Sequence, residues 1–137
     1  MFALTVNSRI IMNSTSLLLS VVELGGYPNY TSLYQQAGFQ VEMVNSVRKA
    51  NSWLKRNQPK VVVAEFNYQT DFRDRTSNVE SLMASLQKYP DTEVIVFYDR
   101  GVEVPLQKLL NQYPNINTLA FPIVEEKLKE TLHAIHA

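Results

Sequence analysis

Short apolar runs that are typical of β-strands alternate five times along this chain with amphipathic stretches that are typical of α-helices. The strand candidates are rich in β-branched and aromatic residues and cover 17–22, 40–44, 60–66, 93–98 and 117–121. In the third and fourth candidates the apolar residues follow one another without a polar break, as expected for parallel strands covered on both faces. The alternation therefore predicts an α/β fold with a parallel sheet between two layers of helices.

The helix candidates fill the intervals between these strands, at about 29–37, 46–57, 78–89, 104–113 and 124–135. Gly38 follows the first helix at the position where a left-handed residue commonly closes a helix. Ser46 and Asn78 are the predicted N-caps of the second and third helices. The last helix is predicted to bury four apolar residues, Val124, Leu128, Leu132 and Ile135.

Five strands and five helices in this order predict a doubly wound, flavodoxin-like (βα)5 sandwich with a parallel five-stranded sheet of order 2-1-3-4-5. The 137 residues correspond to one domain, since domains have roughly 100–200 residues. Residues 15–137 contain the whole pattern. Residues 1–14 lie outside it and are predicted to be an N-terminal extension or an additional edge strand.

Composition excludes several classes of function. Thirteen Lys and Arg balance thirteen Asp and Glu, so the chain lacks the basic excess that draws proteins to nucleic acids or anionic membranes. Without Cys there is no thiol nucleophile or thiolate zinc site, and the two His are among the last five residues. The apolar run 17–24 is interrupted by Ser20 and Glu23 and is too short to span a bilayer. We therefore expect a cytoplasmic protein without a metal or cofactor.

Three segments of the chain resemble response-regulator receiver domains, and the resemblance extends over residues 16–135. Residues 59–67 (PKVVVAEFN) are similar to the family pattern P-D-hydrophobic-D-x-N at the third strand. Residues 90–98 (PDTEVIVFY) resemble the pattern that leads into the fourth strand. Residues 121–128 (FPIVEEKL) look like the junction between the fifth strand and the last helix. This resemblance supports the predicted fold.

The resemblance also assigns the positions that carry phosphoryl transfer in receiver domains. Glu65 matches the phosphoacceptor Asp, and Asn67 matches the Asn two residues later. The remaining positions are degenerate in this sequence, with Val22 and Glu23 at the magnesium-binding acid pair, Tyr98 at the Thr or Ser, Thr118 at the switch aromatic, and Phe121 at the Lys. The peptide bond between Phe121 and Pro122 matches a bond that is commonly cis in the family.

These departures imply a pseudo-receiver, which is neither an enzyme nor a phosphoacceptor. Such a module acts through a protein partner, either a sensor kinase or an output protein, or through a second copy that meets it at helix four, strand five and helix five. The residues expected to be exposed on that surface are Gln107, Lys108, Asn111, Lys127 and Lys129. Glu65 is then either a fixed negative charge that mimics phosphorylation or a relic of lost chemistry.

Two other functions stay open at this stage. An active receiver could use Glu65 or Asp71 as its phosphoacceptor. A flavodoxin-like binder of a small molecule could use the turn at Gly25-Gly26, although its spacing matches no phosphate-binding motif. Three sequence features have both a functional and a structural interpretation, namely loop 66–77, Trp53 and the tyrosines Tyr27, Tyr30 and Tyr34. They either contribute to an interface or are a solvated loop and peripheral packing.

Overall fold

The computed structural model describes residues 16–24, 26–67 and 78–136. The predictions made for residues 1–14, for Gly25 and for residues 68–77 of the polar loop, including Asp71, lie outside the described residues.

Five parallel strands form one sheet with the order β2-β1-β3-β4-β5. The strands are β1 (Leu17–Val21), β2 (Gln40–Val44), β3 (Val61–Glu65), β4 (Glu93–Tyr98) and β5 (Asn117–Ala120). This confirms the predicted flavodoxin-like topology. Every residue of β3 is buried, as the unbroken run of valines predicted.

Five helices connect and follow the strands: α1 (Thr31–Gln36), α2 (Val47–Leu54), α3 (Asn78–Ser85), α4 (Glu103–Gln112) and α5 (Glu125–His136). A short 3-10 helix, Leu86–Lys88, continues α3. The predicted cap of α2 is confirmed, because the Ser46 hydroxyl accepts a hydrogen bond from the Lys49 N–H at 3.0 Å. Gly38 has φ +100°, the left-handed conformation expected after α1.

Helices cover the sheet on both faces and create two apolar cores. On the three-helix face, α2, α3 and α4 contribute buried Leu54, Leu82 and Leu109, among other residues. On the two-helix face, α1 and α5 contribute residues such as Tyr34 and Leu128. Since successive side chains of a strand point to opposite faces, each central strand supplies both cores.

The structure corrects two predictions about element ends. Val124 is 51% exposed instead of buried, because it precedes α5 and so lies outside the apolar stripe of that helix. The third strand ends at Glu65, one residue earlier than predicted, yet Phe66 is buried and its N–H donates to the Phe97 carbonyl at 2.8 Å. Within the described ranges no helix is long and apolar enough to cross a membrane.

Candidate functional site

The carboxyl ends of β1 and β3 lie side by side at one edge of the sheet, the position where open α/β sheets place their sites. Glu65 is the last residue of β3, and its side chain is only 3% exposed. Its Oε1 accepts a hydrogen bond from the Leu24 backbone N–H at 3.1 Å. The predicted phosphoacceptor-equivalent residue therefore lies at the expected edge, but it is buried.

Glu23, Asn67 and Asn78 form a hydrogen-bonded group beside Glu65, here called the amide network. Glu23 Oε1 accepts from Asn67 Nδ2 at 3.1 Å and from Asn78 Nδ2 at 2.6 Å. Asn78 Nδ2 also donates to the Glu65 backbone carbonyl at 2.8 Å, and Asn78 Oδ1 accepts from the Asn67 backbone N–H at 2.8 Å. The neutral amide donors thus stabilise the Glu23 carboxylate. Hydrogen bonds to an ionised acceptor are stronger than those between two neutral groups.

The role of Asn78 differs from its predicted role as a helix cap. It is the first residue of α3, and its side chain crosses to Glu23, 55 positions away in sequence. An Asn that precedes apolar residues at helical spacing predicts an N-cap. This pattern does not reveal to which acceptor the side-chain amide will donate. Sequence analysis therefore identified the residue as structurally important but missed its place in the site.

The other predicted positions do not join the amide network. Tyr98 is half-buried and packs against the core of the three-helix face, while its carbonyl accepts from the Phe121 N–H at 2.8 Å. Phe121 is 40% exposed and precedes a cis peptide bond to Pro122, as the resemblance implied. Val22 and Thr118 are half-buried. None of these four side chains is positively charged.

An aromatic group occupies the two-helix side of the edge. The Tyr27 ring lies 5.4 Å from that of Phe97 and 5.5 Å from that of Phe121, and the Tyr30 ring lies 5.9 Å from Phe97. Tyr30 and Tyr34 are buried members of the core. For these two tyrosines, the interface and the peripheral packing considered from the sequence were both wrong, because their side chains are buried between α1 and the sheet.

The local environment opposes ionisation of these phenols. The pKa of Tyr27 is raised well above its usual range by burial and by the nearby negative charges of Asp99 and Glu65. Burial likewise raises the pKa of Tyr34 and, together with Glu125, that of Tyr30. Trp53, the other aromatic residue singled out in the sequence, is partly buried against the three-helix core, which agrees with its structural interpretation.

A cavity of about 240 Å³ lies beside the aromatic group, between the region of α1 and the ends of β1 and β3. Most of its lining is apolar or aromatic, with Tyr27, Tyr34 and Phe97 among the walls. Two buried polar residues, Ser20 and Glu65, complete it. No sequence signal indicated this space, because its walls come from segments far apart in the chain.

The residues at this edge do not fit the magnesium ion that the receiver resemblance implies. Magnesium requires near-octahedral oxygen coordination, usually with more than one carboxylate or phosphate ligand. In the described part of the chain no three His, Cys, Asp or Glu residues come close enough to hold a metal. Glu23 Oε1 already accepts two amide hydrogen bonds, so one of the two oxygens of this carboxylate is occupied by neutral donors.

Replacing Asn78 with Asp tests the amide network. The new carboxylate would face Glu23 at the 2.6 Å contact and would remove the donor to the Glu65 carbonyl. We expect the free energy of unfolding at pH 7 to fall by about 1–3 kcal/mol. Repulsion raises the folded-state pKa of the pair above the unfolded value of about 4, so the loss is present at neutral pH and shrinks as the pH falls through that folded pKa.

Urea unfolding at pH 7 and near pH 4 measures this change, and Asn115→Asp, at an exposed position between α4 and β5, is the matched control. The control substitution should change the free energy of unfolding little at either pH. An Asn78→Asp loss that stays the same at both pH values would contradict the assigned contact with Glu23.

Comparison with known proteins supports the architecture. No protein-family model and no curated protein matches the sequence. Among solved structures, the chain is similar to a response regulator receiver domain protein from Clostridium thermocellum, with 16% identity and a TM-score of 0.68 over 88% of this chain and 93% of that chain. It is also similar to the chemotaxis protein CheY4 from Vibrio cholerae, with 17% identity and a TM-score of 0.68 over 88% and 98% of the two chains.

A third similar structure is the signal receiver domain of a LuxO repressor protein from Vibrio parahaemolyticus, with 19% identity and a TM-score of 0.65 over 88% of each chain. At such identities the likeness establishes the fold and leaves the chemistry to the residues themselves. The protein therefore has the fold of response-regulator receiver domains.

Proposed function

We propose that the protein is a receiver-like signalling module that acts through protein–protein contact and does not use phosphoryl transfer. The observation that carries this proposal is the amide network at the site edge. It surrounds the one carboxylate of the acid-pair position, Glu23, with the side-chain amides of Asn67 and Asn78. Beside it, the acceptor position holds a Glu that is 3% exposed.

The chemistry of phosphoryl transfer explains why this arrangement disfavours it. Catalysis depends on cations that neutralise the charge developing on the transferred group. Here Phe121 replaces the Lys of the family, and the Glu23 carboxylate faces amides instead of a metal ion. A phosphoryl group on Glu65 would place added negative charge close to Glu23 without a compensating cation among the described residues.

Within this proposal, Glu65 is either a relic of lost chemistry or a fixed negative charge that mimics phosphorylation. Its carboxylate adds a fixed negative charge where an acceptor Asp would become phosphorylated, and the Leu24 N–H holds that charge in one position. Tyr98 and Thr118 replace the residues that relay the phosphorylated state in receiver domains. A single fixed conformation is therefore favoured over a switch.

The proposed partner surface is formed by α4, β5 and α5. The five polar residues expected there, Gln107, Lys108, Asn111, Lys127 and Lys129, are all exposed. Val104 and Val124 add exposed apolar area, at 73% and 51% exposure, near the starts of α4 and α5. Exposed apolar side chains within a polar rim are common in protein interfaces. The partner class is a sensor kinase, an output protein or a second copy of this chain in the cytoplasm.

Incubation with acetyl phosphate and magnesium tests the absence of phosphoryl transfer. Intact mass measurement should show no adduct, whereas an active receiver domain treated in parallel should gain one phosphoryl group. Glu65→Asp alone should also remain unmodified, because it restores neither the acid pair nor the Lys. A stoichiometric adduct on the wild type that disappears in Glu65→Gln would contradict the proposal and favour an active receiver.

Affinity capture tests the partner surface. The immobilised wild type should retain a specific protein from a lysate of the source cells, and Val104→Glu with Val124→Glu should reduce that retention about tenfold or more, since both remove apolar contact and add charge. Glu42→Lys on edge strand β2, also exposed, is the control and should retain the partner. Equal retention by the double variant and the wild type would contradict the assigned surface.

A further inference from the structure

The cavity beside Glu65 has the size and access of a small-ligand site. Its volume of about 240 Å³ exceeds the roughly 150 Å³ of an engineered apolar cavity that takes up benzene. Pro28 and Asn29 belong to its lining and are exposed, so the cavity is open to solvent. The space accommodates one ring with a short chain, and it is smaller than the roughly 300–1,000 Å³ typical of sites for larger ligands.

A buried carboxylate forms part of this cavity. Alternate residues of a strand point to the same face, so Glu65 follows Val61 and Val63 onto the two-helix side of β3. The neighbouring strand adds the buried side chain of Ser20. Burying a carboxylate costs free energy that a partner of opposite charge offsets. Of the Lys, Arg and His residues that the structure describes, none forms an ion pair with Glu65.

The remaining walls favour a cation with an apolar body. Tyr27, Tyr30, Tyr34 and Phe97 line the cavity, and the faces of aromatic rings attract cations. The described lining includes no Lys, Arg or His that would attract an anion. The raised pKa of Tyr27, caused by burial and then by Asp99 and Glu65, also indicates surroundings that oppose added negative charge.

We infer that this cavity binds a small organic ammonium ion, in which a protonated amine pairs with Glu65 and an aromatic or short alkyl group packs against the tyrosines and Phe97. Ser20 provides a hydroxyl that can accept a second hydrogen bond from the ammonium group. The inference goes beyond the proposed signalling role, because ligand binding requires neither a protein partner nor a phosphodonor. The two claims can therefore fail independently.

Three probes of similar size and different charge test this inference. They are 2-phenylethylamine, which is an ammonium ion at neutral pH, the neutral 2-phenylethanol, and the anionic phenylacetate. Chemical-shift titration of the isotope-labelled protein should show saturable binding of the amine, at least about tenfold tighter than that of the alcohol, and no binding of the carboxylate. The shifts should be centred on Tyr34, Val63 and Phe97.

Glu65→Gln separates the charge from the shape of the site. Glutamine retains the side-chain length and an oxygen that can accept from the Leu24 N–H, so this variant should bind the amine and the alcohol with equal affinity. Glu93→Gln, an exposed substitution at the opposite end of β4, should leave the preference for the amine unchanged.

Two results would overturn the inference. One is equal affinity of the wild type for the amine and the alcohol, or no binding of the amine at millimolar concentration. The other is a Glu65→Gln protein that still prefers the amine as strongly as the wild type. If Glu65→Gln does not fold, the probe series on the wild type decides alone.

Discussion

The burial of β3 along its whole length is the constraint on which the site depends. All five residues of this strand are covered, because helices pack on both faces of the sheet and β1 and β4 flank it. A polar side chain is tolerated only where the strand reaches the sheet edge, and there it needs partners. Glu65 occupies that place, and the Leu24 N–H at 3.1 Å is one of its partners. The amide network next to it satisfies Glu23 and the Glu65 carbonyl in the same way.

The carboxylates of Glu23 and Glu65 consequently have different surroundings. Glu23 is held by neutral amide donors, which fix its position and occupy one of its two carboxylate oxygens. Glu65 points to the two-helix side, where tyrosines and Phe97 enclose a cavity. This edge thus combines a closed polar network with an open aromatic cavity.

The fold could be predicted from the sequence because its signals are local and periodic. The apolar runs of 61–63 and 94–97 indicated buried parallel strands, and Ser46 and Gly38 marked helix ends through short-range geometry. The site was harder to predict from the sequence, because its contacts connect positions that are far apart in the chain. Asn78 showed a capping pattern but reaches Glu23, and α1, with six residues, is too short for its apolar period to reveal that Tyr34 is buried. Of the positions matched to receiver domains, Glu23, Glu65 and Asn67 lie together at one edge, whereas Tyr98 packs against the three-helix core and Thr118 lies within β5 beside Val96.

The central claim is that neutral amides, and not a divalent cation, stabilise the carboxylate at the acid position of this receiver-like edge. Nuclear magnetic resonance of the Asn67 and Asn78 side-chain amide groups during titration with magnesium measures this directly, because both groups donate to Glu23 Oε1. The account predicts that these two side-chain signals stay unchanged up to millimolar magnesium. Saturable shifts of both signals, accompanied by shifts of the Glu65 and Leu24 backbone amides, would show that the edge binds the metal and would contradict the account.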